Sequence, residues 1–205
     1  MKARAALLSL FAAPVFGSAA MFLVNSPATY LRANGEVPYN ATAFDLIAAG
    51  YSPGQTVYLS RLGQWDQGGP LQFGLCAVFS SSNVLLPSPL LNRVPGALSA
   101  GPSWVSPATQ IGGLNTDIAQ DFMVCNNAGT ANGIVVTIPA GAAYIFCTVP
   151  DDFFNGNNNA PELYLKIQAV PEPMSIACLG LGVGLLFRRS RIGQKRDLLN
   201  FHKKV

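Results

Sequence analysis

The sequence predicts an all-β chain, a jelly-roll-like antiparallel β-sandwich of about 7–8 short strands set between an N-terminal signal helix and a C-terminal single transmembrane helix. Three observations point there. Apolar and polar residues alternate with period two in several short stretches, and that pattern buries one face of a strand. Turn residues separate those stretches, with 20 Gly and 15 Pro in 205 residues and only 11% charged. Uncharged apolar runs, one too short to span a bilayer and one a marginal span, lie at the two ends.

From the N-terminus, Met1-Lys2-Ala3-Arg4 is basic and residues 5–16 are apolar but too short to span a bilayer. Gly17-Ser18-Ala19-Ala20 then offers the small residues that signal peptidase requires, so residues 1–20 read as a signal peptide. A retained anchor is the alternative, because Met21-Phe22-Leu23-Val24 prolongs the apolar character. Residues 21–169 form one exported domain, long enough for a core of its own.

Within it, residues 44–48 are a first apolar patch, and Gly50-Tyr51-Ser52-Pro53-Gly54 has the Pro and Gly placement of a type II turn. Residues 56–62 alternate. Residues 71–79 alternate too, placing Leu71, Phe73, Leu75, Ala77 and Phe79 on one face. The five prolines of residues 85–107 predict a long loop or edge crossover, since proline cannot donate to a central ladder. Strands are expected again at residues 121–125, 134–138 and 143–149. The alternation of Leu163, Leu165 and Ile167 against Tyr164, Lys166 and Gln168 closes the domain. Asp117 and Asp121 would share one side of a strand, as a solvated rim.

Val170-Pro171-Glu172-Pro173 follows, and its two prolines cannot lie inside a helix. Residues 174–187 carry no charge and would cover about 21 Å as a helix, against a hydrocarbon core of about 30 Å. Arg188, Arg189 and Arg191 come directly after and place the tail on the cytoplasmic side. This tripartite pattern, residues 170–191, resembles the PEP-CTERM sorting signal. The resemblance implies export from a Gram-negative-type cell and recognition by an exosortase-type membrane transpeptidase or protease. It further implies cleavage near residues 171–173, transient residence in the membrane, and delivery to the outer surface or exopolysaccharide matrix. Residues 192–205 add a basic cytoplasmic tail that such signals usually lack.

Charge excludes some classes of function. The whole chain is +3, yet residues 21–169 hold four cations, Arg32, Arg61, Arg93 and Lys166, against eight carboxylates. A net charge near −4 leaves no nucleic-acid footprint. The one histidine, His202, lies beyond the arginine cluster, so the exported domain has no histidine base or nucleophile partner. With no zinc spacing and no phosphate loop, the reading is non-enzymatic.

One stretch carries a candidate chemistry. Residues 150–159 bring Asp151, Asp152, Asn155, Asn157, Asn158 and Asn159 around Gly156. Carboxylate and amide oxygens suit Ca2+, a hard cation; the same residues are also ordinary hairpin formers. The succession of residues 50–57, residues 136–142, this loop and residues 163–167 is similar to the calcium-dependent galactose-binding lectins of β-sandwich fold. That resemblance implies Ca2+ held by Asp152 (or Asp151), Asn157 and Asn158, with sugar hydroxyls coordinated to the ion. The chain departs from the family in loop length and at Pro161-Glu162-Leu163. Export permits one disulfide among Cys76, Cys125 and Cys147, with one thiol over; buried free thiols are the equal alternative. Trp65 and Trp104 read as core plugs rather than sugar platforms. Two functions result: a surface or matrix protein that binds carbohydrate through Ca2+, and a ligand-free spacer for glycan attachment or self-association.

Overall fold

A computed structural model describes residues 19–171, except 34, 89, 102–109, 112, 113, 116, 117, 127, 131, 152, 160 and 161. The side chains of residues 110, 111, 114 and 115 are likewise outside the description. Residues 1–18 of the expected signal peptide 1–20, the apolar run 174–187 and Trp104 therefore lie outside the described residues. Residues Gly17–Val170 form one compact unit.

The described residues are all β. In chain order the strands are β1 (Ala20–Val24), β2 (Ala28–Thr29), β3 (Tyr39–Asn40), β4 (Ala43–Asp45), β5 (Thr56–Leu62), β6 (Trp65–Asp66), β7 (Leu71–Gln72) and β8 (Leu75–Ser80). They continue with β9 (Ala97–Leu98), β10 (Gln110–Ile111), β11 (Leu114–Asn115), β12 (Phe122–Cys125), β13 (Gly133–Thr137), β14 (Tyr144–Thr148), β15 (Asn158–Asn159) and β16 (Leu163–Ala169). Two antiparallel sheets dominate. One has the order β1-β16-β5-β13; the other has β12-β8-β14-β4, with β9 paired to the end of β8. Small ladders β15-β6-β7, β2-β3 and β10-β11 flank them.

The first sheet follows the alternation. Leu163, Leu165 and Ile167 of β16 are fully buried, and Val57 and Leu59 of β5 join them. Opposed residues share a face, so the register Phe22↔Leu165 and Val24↔Leu163 turns Phe22 and Val24 inward as well. Their neighbours Met21 and Leu23 point outward, about half exposed. Phe22 stacks on Phe44 of β4 with ring centroids 4.8 Å apart, which joins the two sheets. Each such buried apolar side chain contributes about 1.5–3 kcal/mol. At Ser52-Pro53-Gly54-Gln55 the Gln55 amide donates to Ser52 O at 3.2 Å, and Gly54 takes φ +84°, which is the expected type II turn.

The second sheet departs from it. Residues 71–79 do not make one half-buried strand: β7 and β8 are separate, and all six residues of β8 are buried. Phe79, Ala77 and Leu75 face the first sheet, while Cys76, Val78 and Ser80 face the other way, beneath residues 26–41. Thr148 Oγ1 donates to Ala28 O at 2.9 Å across this outer face, and Tyr30 and Leu31 are fully buried there. Arg93 pins the covering segment. Its guanidinium donates to Thr29 O (3.0 Å), Leu31 O (2.9 Å), Leu86 O (2.9 Å) and Asn40 Oδ1 (2.6 Å), and the residue is 1% exposed. The proline-rich stretch is thus loop over much of its described length, as expected, yet it supplies β9 and this buried cation.

One more expectation changes: Asp121 is fully buried rather than on a solvated rim. Residues 21–24, for which the sequence predicts no strand, are most of edge strand β1. Trp65 is core, as expected, with Nε1 donating to Gly74 O at 3.0 Å.

Candidate ligand loop and sorting segment

The loop between β14 and β16 is held by two distant parts of the chain. Its short strand β15 pairs with β6, Asn158 opposite Asp66 and Asn159 opposite Trp65. Period-two geometry then separates the consecutive asparagines. Asn157 is 2% exposed, whereas Asn158 faces solvent. Asn159 points the same way as Asn157: its Oδ1 accepts from Ser26 N (3.0 Å) and its Nδ2 donates to Val24 O (2.8 Å). Asn157 Nδ2 donates to Ser26 O at 3.4 Å.

Asp151 is also buried, and both its oxygens accept from Gln67 Nε2, at 3.0 and 2.9 Å. Asp152 lies outside the described residues. Phe154, fully buried, anchors the tip, and Glu36 accepts from the Phe154 and Asn155 amides. The structure thus brings Asn157 into the buried base of the loop, leaves Asn158 at the surface and ties Asp151 to Gln67. Sequence reasoning missed Glu36, Ser26 and the clamp role of Asn159. The alternation of the three asparagines carried a signal for Asn159; nothing local could have found Glu36, about 118 residues from its partners in sequence.

Asp151, Asn159 and the Asn157 amide nitrogen are thus spent on holding the loop in place. Asn157 Oδ1 of the loop and Ser26 Oγ of the segment beneath it are buried without a hydrogen-bond partner among the described residues. An orphaned buried acceptor costs about 1–3 kcal/mol, and a water or a hard cation satisfies it. The donor set of carboxylate, amide and hydroxyl oxygens therefore fits Ca2+ chemically. Among the described residues no three His, Cys, Asp or Glu side chains come together as a metal group.

At the Val170-Pro171-Glu172-Pro173 stretch, Val170 N donates to Thr56 O at 3.0 Å, and Pro171 is exposed directly after it. Glu172, Pro173, Arg188, Arg189 and Arg191 lie outside the described residues. Among the described residues no helix is long and apolar enough to cross a membrane.

Cys76, Cys125 and Cys147 are all buried and all free, so the disulfide alternative does not hold. Burial raises each thiol pKa, Cys125 to about 11, with Arg61 beside it pulling the other way. Cys76 and Cys147 are held higher, with the Asp121 charge adding to the effect at Cys76. Thiols so placed are weak nucleophiles.

Compared with family models, with curated proteins and with solved structures, the chain matches none.

Proposed function

We propose that the chain is an exported, exosortase-sorted protein of the cell surface or exopolysaccharide matrix, non-enzymatic, whose sandwich is displayed once signal peptidase and the exosortase-type enzyme have acted. One observation carries this reading. The last strand among the described residues ends at Ala169, and Pro171, the first residue of Pro-Glu-Pro, is exposed just after it. The test is fractionation of cells that make the full chain. The wild type should reach the surface or medium as a shortened species, and Glu172→Ala should stay in the inner membrane at full length. Equal distribution of the two forms would refute it.

A second reading, carbohydrate capture through Ca2+, rests on the orphaned Asn157 Oδ1 and Ser26 Oγ beside an acidic loop. Asp151, Asp152 and Asn157 would hold the ion; Asn158, expected beside them from the sequence, turns to the solvent face instead. Bound Ca2+ supplies the charge to which vicinal sugar hydroxyls coordinate. At 100 times its Kd, Ca2+ adds about 2.7 kcal/mol, or roughly 5–10 °C of unfolding midpoint for a domain of this size. Such a rise, lost in Asp152→Ala, supports the site. No rise leaves the ligand-free spacer.

A further inference from the structure

The N- and C-terminal boundaries of the sandwich lie side by side. Ala20, the first residue of β1, opposes Ile167 near the end of β16, and Ala20 N and Ile167 O are bridged by the Tyr51 hydroxyl at 3.2 and 2.6 Å. The flanking apolar runs therefore attach at one end of the fold, on neighbouring strands. Three residues separate Ala20 from residue 16, and four separate Ala169 from residue 174. At no more than about 3.5 Å per residue, those leashes reach about 10 and 14 Å. Neither is long enough to hold this end far from a membrane.

The composition of that end agrees with the leash. It is formed by residues 46–55 and 138–143, which contain no charged residue. Ile47 is 54% exposed there, and Ala48, Pro53 and Ala140 are exposed beside it. The flanking Asp45 is engaged by the Ala48 amide at 2.8 Å. The carboxylates of Glu36, Asp66, Asp151 and Glu162 gather instead at the opposite end, around the loop that precedes β16. Like charge keeps an acidic surface away from anionic headgroups, while an uncharged one with exposed apolar side chains can approach them.

We infer that the end carrying Ile47, Pro53 and Ala140 is a lipid-facing surface, seated on phospholipid headgroups while either apolar run is attached. This inference rests on the export reading above and adds an orientation to it: the Asp151 loop points away from the membrane that the chain is leaving.

The experiment uses the full chain with Cys178→Ser, in vesicles of phosphatidylglycerol with phosphatidylethanolamine in excess. The three buried thiols do not label in the folded protein, so Ala140→Cys, Ile47→Cys and Asn155→Cys each carry one environment-sensitive fluorophore. Flotation with vesicles comes first; a chain that does not float overturns the anchoring reading and this one with it. For chains that float, a headgroup-attached spin label should quench the probes at residues 140 and 47 several-fold more than the probe at residue 155. Equal quenching at the three positions, or stronger quenching at 155, overturns the orientation and leaves anchoring intact. Concentration-dependent self-quenching at residue 140, with no response to the lipid quencher, assigns the surface to a second copy and overturns the lipid assignment.

Discussion

Replacing Arg93 should unfasten the outer face of the second sheet. The guanidinium is 1% exposed and donates to four acceptors, all uncharged, on Thr29, Leu31, Asn40 and Leu86. Burial of a charge without a counter-ion costs energy and lowers its pKa, so the four bonds are what hold it charged. Hydrogen bonds from a charged donor net about 1.5–3 kcal/mol each, but they share one side chain and do not add. Arg93→Ala removes the donor and leaves three carbonyls and one amide oxygen facing a cavity, a loss on the order of 3–5 kcal/mol. For a domain of this size that lowers the unfolding midpoint by roughly 10–15 °C. Arg93→Lys should recover little, because a point charge with three donors cannot reproduce the planar fork. Denaturant and thermal unfolding of the Gly17–Val170 unit give the magnitude, and labelling of Cys76 under native conditions reports whether the cover has lifted. A loss below about 1 kcal/mol, with Cys76 still protected, would refute the clamp.

Gly63 follows β5 at φ +85°, and a Cβ there would run into the Glu162 carbonyl just before β16. Gly63→Ala should therefore cost about 2–4 kcal/mol from strain and overlap together, read as a fall in denaturant midpoint; a neutral result would mean that this corner is open. In the Cys178→Ser chain, a thiol reagent at neutral pH should leave Cys76, Cys125 and Cys147 unreacted while folded and modify all three on unfolding, whereas fewer than three sites in unfolded, unreduced protein would mean that a disulfide forms. Stability should fall as pH rises past 9, the ordinary thiol value, because the unfolded chain releases these protons there while burial makes the folded chain hold them beyond it, to about 11 at Cys125. The folded state then binds more protons than the unfolded one, so the slope is negative; an unchanged urea midpoint between about pH 8 and about pH 10.5 would contradict the burial of the thiols.

Two kinds of strand are legible in the sequence: those with one solvated face, by alternation, and β12 and β14, almost wholly buried, as short apolar runs bounded by turn residues. β5, β13 and β16 alternate because water is on one side of them, and their predicted and observed limits agree within a residue or so. β8 was misread for a different reason: the segment carrying Ala28 and Tyr30, far away in sequence, closes its outer face, and a strand covered on both sides need not alternate. β1 was not legible because Met21-Phe22-Leu23-Val24 is an unbroken apolar run without alternation. In the candidate loop, composition showed that residues 151–159 are rich in oxygen ligands. It did not show which oxygens the fold itself consumes. Asn159 and Asp151 are engaged by Val24, Ser26 and Gln67, partners that only the tertiary structure brings near.

The place of β16 between β1 and β5 governs the order of assembly. Both neighbours are made long before it, and neither meets the other, so the first sheet stays split until residues 163–169 have been synthesised. Pairing across some 140 residues is slow to nucleate. Until then β1 has no partner in its own sheet, so the first segment of the domain to be made is among the last to be locked in place.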